Sequence, residues 1–450
     1  MTKVLKIKQG ADIKLVGEAE KILADAPLSD TVALKPADFA GLTPKLTVKV
    51  GQEVKAGSCL FYDKNNPKIK FASPVSGEVA EIKRGAKRKI LEVIVLADKE
   101  SKYEEFKSGD PNNLSAEEIK ANLCDSGLWP FIKQRPYDVI ANPDDQPKAI
   151  FISAFDSAPL APDNDFILHG QANLFQKGLD ALSKLSSGGV HITVSAKDRA
   201  DDVFLNAKNV QLHQISGPHP AGNVGVQIHH IMPVNKGEVV WTLKPQDVLS
   251  IGKLFDNGQF DAKRVVAVCG AQLKSPKYYR SILGMSTKKL LDELAKEGEN
   301  RYISGNVLTG TKIEADGYLG FYDYHLTVIP EGGEDRMFGW ITPNFDKFSI
   351  SRALPSWLNV NKKYNLSAEM NGEERAFVVT GEYEKVFPFD IYPVQLIKSI
   401  MVNDIELMEQ LGIYEVSPED FALCETVCTS KIPVQSIVRE GLDSLREEMS

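Results

Sequence analysis

The sequence predicts a multidomain α/β protein, and three observations carry that expectation. A chain of 450 residues is longer than one hydrophobic core supports, so roughly two to four domains are expected. Residues 31–97 hold strand-length segments closed by Gly and Pro, the mark of a small all-β unit. Residues 114–260 alternate strand-like and helix-like segments, the mark of a parallel sheet flanked by helices. The expected division is 1–100 for an N-terminal segment with the β unit and 101–260 for a Rossmann-like α/β domain. A second mixed domain follows at 261–330, and a helical C-terminal domain at 331–450.

The β unit comes first. Val48–Val50 leads into Gly51-x-x-Val54-x-x-Gly57, then Cys59 to Tyr62, Ile69 to Phe71, Pro74 to Ile82 and Ile90 to Leu96. This run resembles the lipoyl-type barrel-sandwich hybrid, in which a carrier lysine stands on a hairpin tip. Lys64 lies near that place without Asp-Lys-Ala or Met-Lys-Met around it, so it reads as a surface lysine on a scaffold barrel.

In the α/β region, Ala149–Ala154 reads as a buried strand and Asp165–Ser186 as a region carrying an amphipathic helix closed by Gly188-Gly189. Val190–Ser195 is the next strand, Asp201–Ala207 a short helix and Asn209–Ile215 the third strand. The loop Gly217-Pro218-His219-Pro220-Ala221-Gly222 then falls where open α/β sheets bind ligands. Its glycines have P-loop spacing, but Asn223 and Val224 replace the required Lys and Ser/Thr. Further on, Arg264–Gly270, Tyr302–Gly310 and His325–Ile329 supply strands, and Ser286 or Thr287 is the expected cap of a helix carrying Leu290, Leu291 and Leu294. In the C-terminal region, Ser417-Pro418-Glu419-Asp420 is a strong helix start.

Composition narrows the function. Hydrophobic content of 43% and charged content of 25% suit a soluble globular chain, and a net charge of −8 argues against nucleic acid as partner. Five scattered cysteines fit a reducing compartment rather than a disulfide framework. The N-terminus has no apolar core of a signal peptide, and no apolar run reaches the roughly 18 residues of a membrane span. Work at a membrane would therefore go through docking on a partner.

Candidate chemistry is sparse. Cys424 and Cys428 have the Cys-x3-Cys spacing that ends a ferredoxin cluster motif, but Thr429 replaces its Pro, and Phe421 and Pro418 occupy the upstream ligand offsets. This looks like a ferredoxin helix without its cluster, and two packed thiols are the expected state. His213, His219, His229 and His230 lie within 18 residues but match no metal-ligand spacing. His219, between two prolines, remains a candidate hydrogen-bond donor to a quinone carbonyl. Gly127–Asp138 puts Trp129, Phe131 and Tyr137 beside Lys133 and Arg135, a combination suited to a planar headgroup with carbonyl oxygens. The competing reading is an interdomain strap whose aromatics pack on the core. No self-sufficient catalytic constellation is present.

Several unusual strings in one order resemble the NqrA component of the Na+-translocating NADH:quinone reductase. They are Ile7-Lys8-x-Gly10; Val32-Ala33-Leu34-x-Pro36-x-Asp38-Phe39-x-Gly41-Leu42-x-Pro44; Ser73-Pro74-Val75-Ser76-Gly77; Trp129 with Arg135-Pro136; the Gly217–Gly222 loop; and Phe338-Gly339-Trp340 leading to Phe348-Ser349-x-Ser351-Arg352. The resemblance covers essentially the whole chain. It implies a peripheral component on the cytoplasmic face of the bacterial inner membrane, in a six-subunit complex that passes electrons from NADH to quinone and exports Na+. Its partners would be the other five subunits, including the integral-membrane ones, and it would not be catalytic alone. More distantly the chain resembles the flavin subunit of complex I and its counterpart in the Rnf complex. By that likeness 261–330 is a β-grasp, soluble-ligand-binding domain. The Gly-rich flavin/NADH loop and the cluster cysteines are missing, so no flavin or iron–sulfur cluster is expected here. Quinone is the ligand the resemblance implies, with Leu34, Pro36, Phe39, Trp129, Phe131, Arg135, Pro136 and Tyr137 as the residues carried over. The alternatives are a purely structural assembly component, a flavin oxidoreductase acting alone and a carrier scaffold using Lys64.

Overall fold

The computed structural model describes residues 4–332, 343–359 and 361–449. The Phe338-Gly339-Trp340 string lies outside the described residues.

The centre is a seven-stranded sheet in the order Leu5–Lys6, Val210–Ser216, Val190–Ser195, Ala149–Ser153, Val240–Leu243, Lys133–Arg135, Val139–Ile140. The first five run parallel, and the last two form an antiparallel hairpin on the edge. The chain steps outward from Ala149–Ser153 through Val190–Ser195 to Val210–Ser216, then returns to lay Val240–Leu243 on the other side of its starting strand. That reversal is the switch point of a doubly wound sheet.

The three inner strands, Ala149–Ser153, Val190–Ser195 and Val240–Leu243, are buried almost throughout because both faces are covered. Ile150, Ile152, Ile192 and Val194 pack beneath Phe175, Leu179, Leu182, Val248 and Ile251 of the helices Ala172–Ser183 and Pro245–Asn257. The two helices cross in close contact at glycines. A Cβ on Gly252 would lie 1.8 Å from the Leu174 carbonyl oxygen, and one on Gly178 would lie 2.2 Å from that of Val248. On the opposite face, Ala149 and Phe151 meet Ile228 of the short helix Val224–Ile231.

The N-terminal unit pairs a four-stranded antiparallel sheet (Thr31–Leu34, Ile90–Ala97, Gly77–Arg84, Glu53–Val54) with a three-stranded one (Pro44–Leu46, Cys59–Asp63, Lys70–Ala72). Leu60, Phe61, Phe71, Val79, Val93 and Val95 fill it. Lys64 is exposed just past Cys59–Asp63. The residues before this unit leave it: Leu5–Lys6 joins the central sheet, and Glu20–Asp25 forms the edge of a third sheet. That six-stranded sheet runs Thr311–Ile313, Asn300–Ser304, His325–Pro330, Lys263–Cys269, Lys277–Ile282, Glu20–Asp25, with the helix Lys288–Leu294 packed on it.

Some local expectations are corrected. The 165–186 region holds two helices, Asn164–Leu168 and Ala172–Ser183, separated where Gly170 takes φ +78°. Thr287 holds the expected N-cap position of Lys288–Leu294, but its side chain makes no capping bond, because its hydroxyl donates to the Ala315 and Gly317 carbonyls instead. Ser417 does form its capping box with Asp420, over a single 3₁₀ turn Pro418–Phe421 that leads into the helix Ala422–Val427. The C-terminal region is less helical than expected. Helices Pro393–Met401, Ile405–Gln410, Ala422–Val427 and Val434–Met449 occupy its second half. The described residues from 343 to 382 are almost all irregular, consistent with Pro343, Pro355 and a polar sequence without helical period.

Candidate functional site

A cleft of ≈ 420 Å³ opens where four parts of the chain meet. One wall is the turn Pro36–Asp38 with Phe39–Leu42 and Pro44, beside Lys89 and Ile90. Facing it is the edge hairpin, contributing Lys133, Asp138, Val139 and Ile140. Tyr322 closes one end, and Pro418 with Arg439 and Asp443 of the helix Val434–Met449 closes the other. The size falls within the range of roughly 300–1,000 Å³ typical of small-molecule sites.

The walls are positioned by rigid neighbours. Pro at the start of the 36–38 turn needs no N–H partner. Phe39 packs edge-on against Phe71, Phe321 and Tyr322, with centroids 4.6, 4.8 and 5.7 Å away. Beyond it, Gly41 takes φ +71°, a left-handed conformation that favours glycine, and the Arg446 guanidinium lies over it. The hairpin turns through a cis Arg135–Pro136 bond and left-handed Tyr137 and Asp138, which brings Asp138 back to Lys133.

The polar groups are mostly matched within the protein. Asp138 sits 2.7 Å from Lys133 Nζ and 3.8 Å from Arg135 Nε. Burial pushes its carboxyl up, but Lys133, Arg135 and Arg439 outweigh this and hold it down to about 2. Lys133 Nζ also lies 5.2 Å above the Tyr322 ring, a cation–π contact. The Tyr322 hydroxyl donates to the Pro130 carbonyl at 2.6 Å, and burial with nearby Asp138, Asp247 and Asp38 raises it well above the ordinary tyrosine value. Arg439 donates to the Tyr137 carbonyl at 2.7 Å and pairs with Asp443 at 2.7 Å. Asp38 accepts the Phe321 N–H at 2.8 Å and has Lys35 at 3.8 Å. Burial raises its carboxyl to about 6, against the opposing pull of Lys35. Six charged residues, Asp38, Lys89, Lys133, Asp138, Arg439 and Asp443, share the lining with apolar ones, a mixture that suits a small ligand combining an apolar ring with oxygens that accept hydrogen bonds.

The sequence candidates are distributed unevenly around this cleft. Pro36 and Phe39 line it. Leu34 is 1% exposed in the β unit. Trp129 is fully buried, edge-on to Trp241 at 5.3 Å, with Nε1 donating to the Ala141 carbonyl. Phe131 stacks on Phe321 at 4.6 Å behind the cleft wall. Pro136 is buried at the hairpin bend, and Tyr137 packs edge-on against Tyr414.

Arg135 is 1% exposed and points into the C-terminal region. Its guanidinium meets Glu419 at 2.8 Å and Asp420 at 3.3 Å. Asp420 also closes the start of the helix Val224–Ile231, since a Cβ on Gly225 would lie 2.6 Å from its Oδ1. A helix start in such a position usually attracts a phosphate; here the chain's own carboxylate stands there.

His219 belongs to another place, the loop after Val210–Ser216. Its Nδ1 is 3.0 Å from Ser157 Oγ, its N–H donates to Asp12, and Gly222 N–H donates to Ser157 Oγ. Burial lowers its imidazole below the usual range. The loop is thus packed against residues 10–12 and 157 of the same chain.

The remaining motifs resolve into packing. Cys424 and Cys428 are buried free thiols, Cys424 held well above the usual value by burial. His213 pairs with His191 and His229 with Glu415. Among the described residues no group of three or more His, Cys, Asp or Glu side chains is placed to hold a metal. Tyr322, Arg439 and Asp443 escaped the sequence reading because each looks like an ordinary strand-end or helix-face residue there.

Comparison with known proteins follows the same segments. Residues 5–98 match the family described as the NqrA N-terminal barrel-sandwich hybrid domain, 114–260 the NqrA second alpha/beta domain, and 265–315 the NQRA C-terminal domain. The barrel-sandwich expectation for the β unit is thereby met. The corresponding NqrA components of Na(+)-translocating NADH-quinone reductases align end to end. That of Photorhabdus laumondii is 40% identical over 449 residues, covering 99% of this chain and 100% of its own. Those of Neisseria meningitidis serogroup A and Yersinia pestis are each 38% identical, with the same two shares. On this similarity the chain belongs to the NqrA family, a component of the Na(+)-translocating NADH-quinone reductase.

Proposed function

We propose that this protein contacts quinone, and that it does so in the cleft between Pro36–Leu42 and the Lys133–Ile140 hairpin. The observation that carries the reading is convergence. Two segments about 100 residues apart, each marked by its resemblance or its composition, meet at one cavity. The ring would lie between Phe39, Ile140 and Tyr322. Lys133 keeps donors beyond its bond to Asp138 and would give one to a carbonyl oxygen, which a quinone can only accept. Electrons would come from redox centres of other subunits, because this chain has neither the flavin loop nor the cluster cysteines.

In the same reading the protein sits at the periphery, on the cytoplasmic face, docked on the membrane subunits. Among the described residues no helix is long and apolar enough to cross a membrane. The six-stranded sheet is read as a β-grasp domain, supported by the hairpin of Lys263–Cys269 and Lys277–Ile282, the helix after it, and the parallel return of His325–Pro330. The C-terminal helices are read as a ferredoxin-like frame without its cluster, and the divisions at 100, 260 and 330 as domain boundaries.

The test is calorimetric titration of the purified chain with a water-soluble ubiquinone or menaquinone analogue. Saturable binding that falls at least tenfold in Ile140→Trp, which fills the cleft, supports the reading. Binding unchanged by that substitution moves the ligand elsewhere. No binding to the folded chain leaves a structural dock.

A further inference from the structure

We propose that the Asp38 carboxyl is the group by which the cleft distinguishes a quinone from its hydroquinone. Protonated, it donates to a quinone carbonyl; ionised, it accepts from a hydroquinone hydroxyl. The inference rests on the quinone reading above and adds to it a residue and a rule of selection.

The geometry isolates this carboxyl among the groups lining the cleft. Its Oδ2 is fixed by the Phe321 N–H at 2.8 Å. Its Oδ1 faces only the Lys35 ammonium among the described residues, a long ion pair at 3.8 Å, and that ammonium also donates to the Tyr318 carbonyl at 3.0 Å. One oxygen is thus held by a short bond, and the other has a single distant cation and room for a further hydrogen bond.

The neighbouring charges do not compete for the same task. Across the cleft, Asp138 is matched by Lys133 and Asp443 by Arg439. Lys89 also lines the cleft as a cation, and the Tyr322 hydroxyl is committed to Pro130. Lys133 and Arg439 can only donate, so they favour the carbonyl form at every ordinary pH. On the side of the 321–323 stretch, Asp323 adds negative charge that disfavours ionisation of Asp38. Burial, the larger effect, raises the same carboxyl to about 6. Both forms of Asp38 are therefore present within a unit or two of neutrality, where neither quinone nor hydroquinone itself titrates.

Below about pH 6 the carboxylic acid favours quinone. Above it the carboxylate repels a carbonyl oxygen and accepts from a hydroxyl, so hydroquinone is favoured. One charge-assisted hydrogen bond made or lost corresponds to about a tenfold change in relative affinity.

The experiment measures dissociation constants of the oxidised and the anaerobically reduced water-soluble ubiquinone analogue on the full chain, from about pH 5 to about pH 8, a range that brackets the raised carboxyl. The quinone-to-hydroquinone ratio of Kd should rise about tenfold across that range, with a midpoint near 6. In Asp38→Asn, whose amide both donates and accepts, the ratio should be flat. A flat ratio in the wild type, or a pH-dependent one surviving in Asp38→Asn, overturns the role of Asp38 while leaving the quinone site standing. Failure of both forms to bind, or binding indifferent to Ile140→Trp, overturns the site and this inference together. A flat wild-type ratio overturns the role of Asp38 even if the variant does not fold, and Asp38→Glu, which keeps the carboxyl, should then retain a pH-dependent ratio.

Discussion

Replacing Arg135 by alanine should weaken the junction between the central sheet and the C-terminal helices before it affects any ligand. The guanidinium is 1% exposed and contacts three carboxylates. These do not suffer equally from its loss. Asp138 keeps Lys133 at 2.7 Å, and the Glu419 side chain is 40% exposed, so water replaces its partner. Asp420, at 0% exposure, keeps only its bonds from the Ser417 N–H and hydroxyl. Truncating one partner of a buried ion pair costs about 3–5 kcal/mol, mostly from the charge left behind. Arg135→Ala should therefore lower stability by about that amount. Asp420→Asn, which leaves Arg135 with Glu419 and Asp138, should cost only about 1–2 kcal/mol. The double variant should be more stable than Arg135→Ala alone, because the stranded charge is gone. The assay is urea unfolding together with hydrogen exchange of the helix Val434–Met449, which packs next to the 418–421 turn. A loss under about 1 kcal/mol in Arg135→Ala, or a double variant worse than the single one, would refute the ion-pair reasoning.

Other predictions concern the same structure. Asp420 is raised to about 6 by burial, against the pull of Arg135. Its native form binds a proton that the unfolded chain releases near its ordinary value, so its contribution to stability should fall as pH rises from about 4 to about 6 and then level off. Asp138 is held to about 2, so its contribution is present at neutral pH and should be lost as acid carries the chain from about pH 4 through pH 2; acid unfolding of wild type against Asp138→Asn separates the two trends. Trp129→Phe removes the Nε1 bond to Ala141 and should cost about 1–3 kcal/mol in urea unfolding, with the cleft ligand bound as before. Gly222→Ala places a Cβ 2.5 Å from the Ser157 N and should cost about 1–3 kcal/mol through displacement of the 154–158 loop, read as lost exchange protection there. Wild-type protection in that variant would show the close approach to be relieved cheaply.

The layered fold was largely legible in the sequence because periodicity and turns report on it directly. Ala149–Ser153, Val190–Ser195 and Val210–Ser216 were expected within a residue of where they lie, the first of them as a buried strand. What pattern could not show was partnership across distance. Glu20–Asp25 has no alternation that assigns it to a sheet whose other strands begin at 263. The described residues between 343 and 382, almost all irregular, were expected as helix because the helices beyond them dominate the C-terminal pattern.

The site divides in the same way. Pro36 and Phe39, named by the resemblance rather than by their own pattern, line the cleft, whereas the most conspicuous members of the 127–138 block, Trp129 and Arg135, turn inward to the core and to Asp420. The less conspicuous Lys133 and Asp138 face the cleft. Lys133 and Arg135 stand two apart on one strand and so leave it on the same side; what separates them is partnership, Lys133 with Asp138 and Arg135 with Glu419 and Asp420, which sequence alone did not show.

Hydrogen exchange of the full chain with and without a saturating water-soluble ubiquinone analogue shows whether quinone occupies the cleft between its two walls. The account predicts slowed exchange in two separate stretches at once, 36–42 and 133–140, with the 217–222 loop unchanged. Protection confined to the 217–222 loop, or absent from both cleft walls while the analogue is bound, would contradict it.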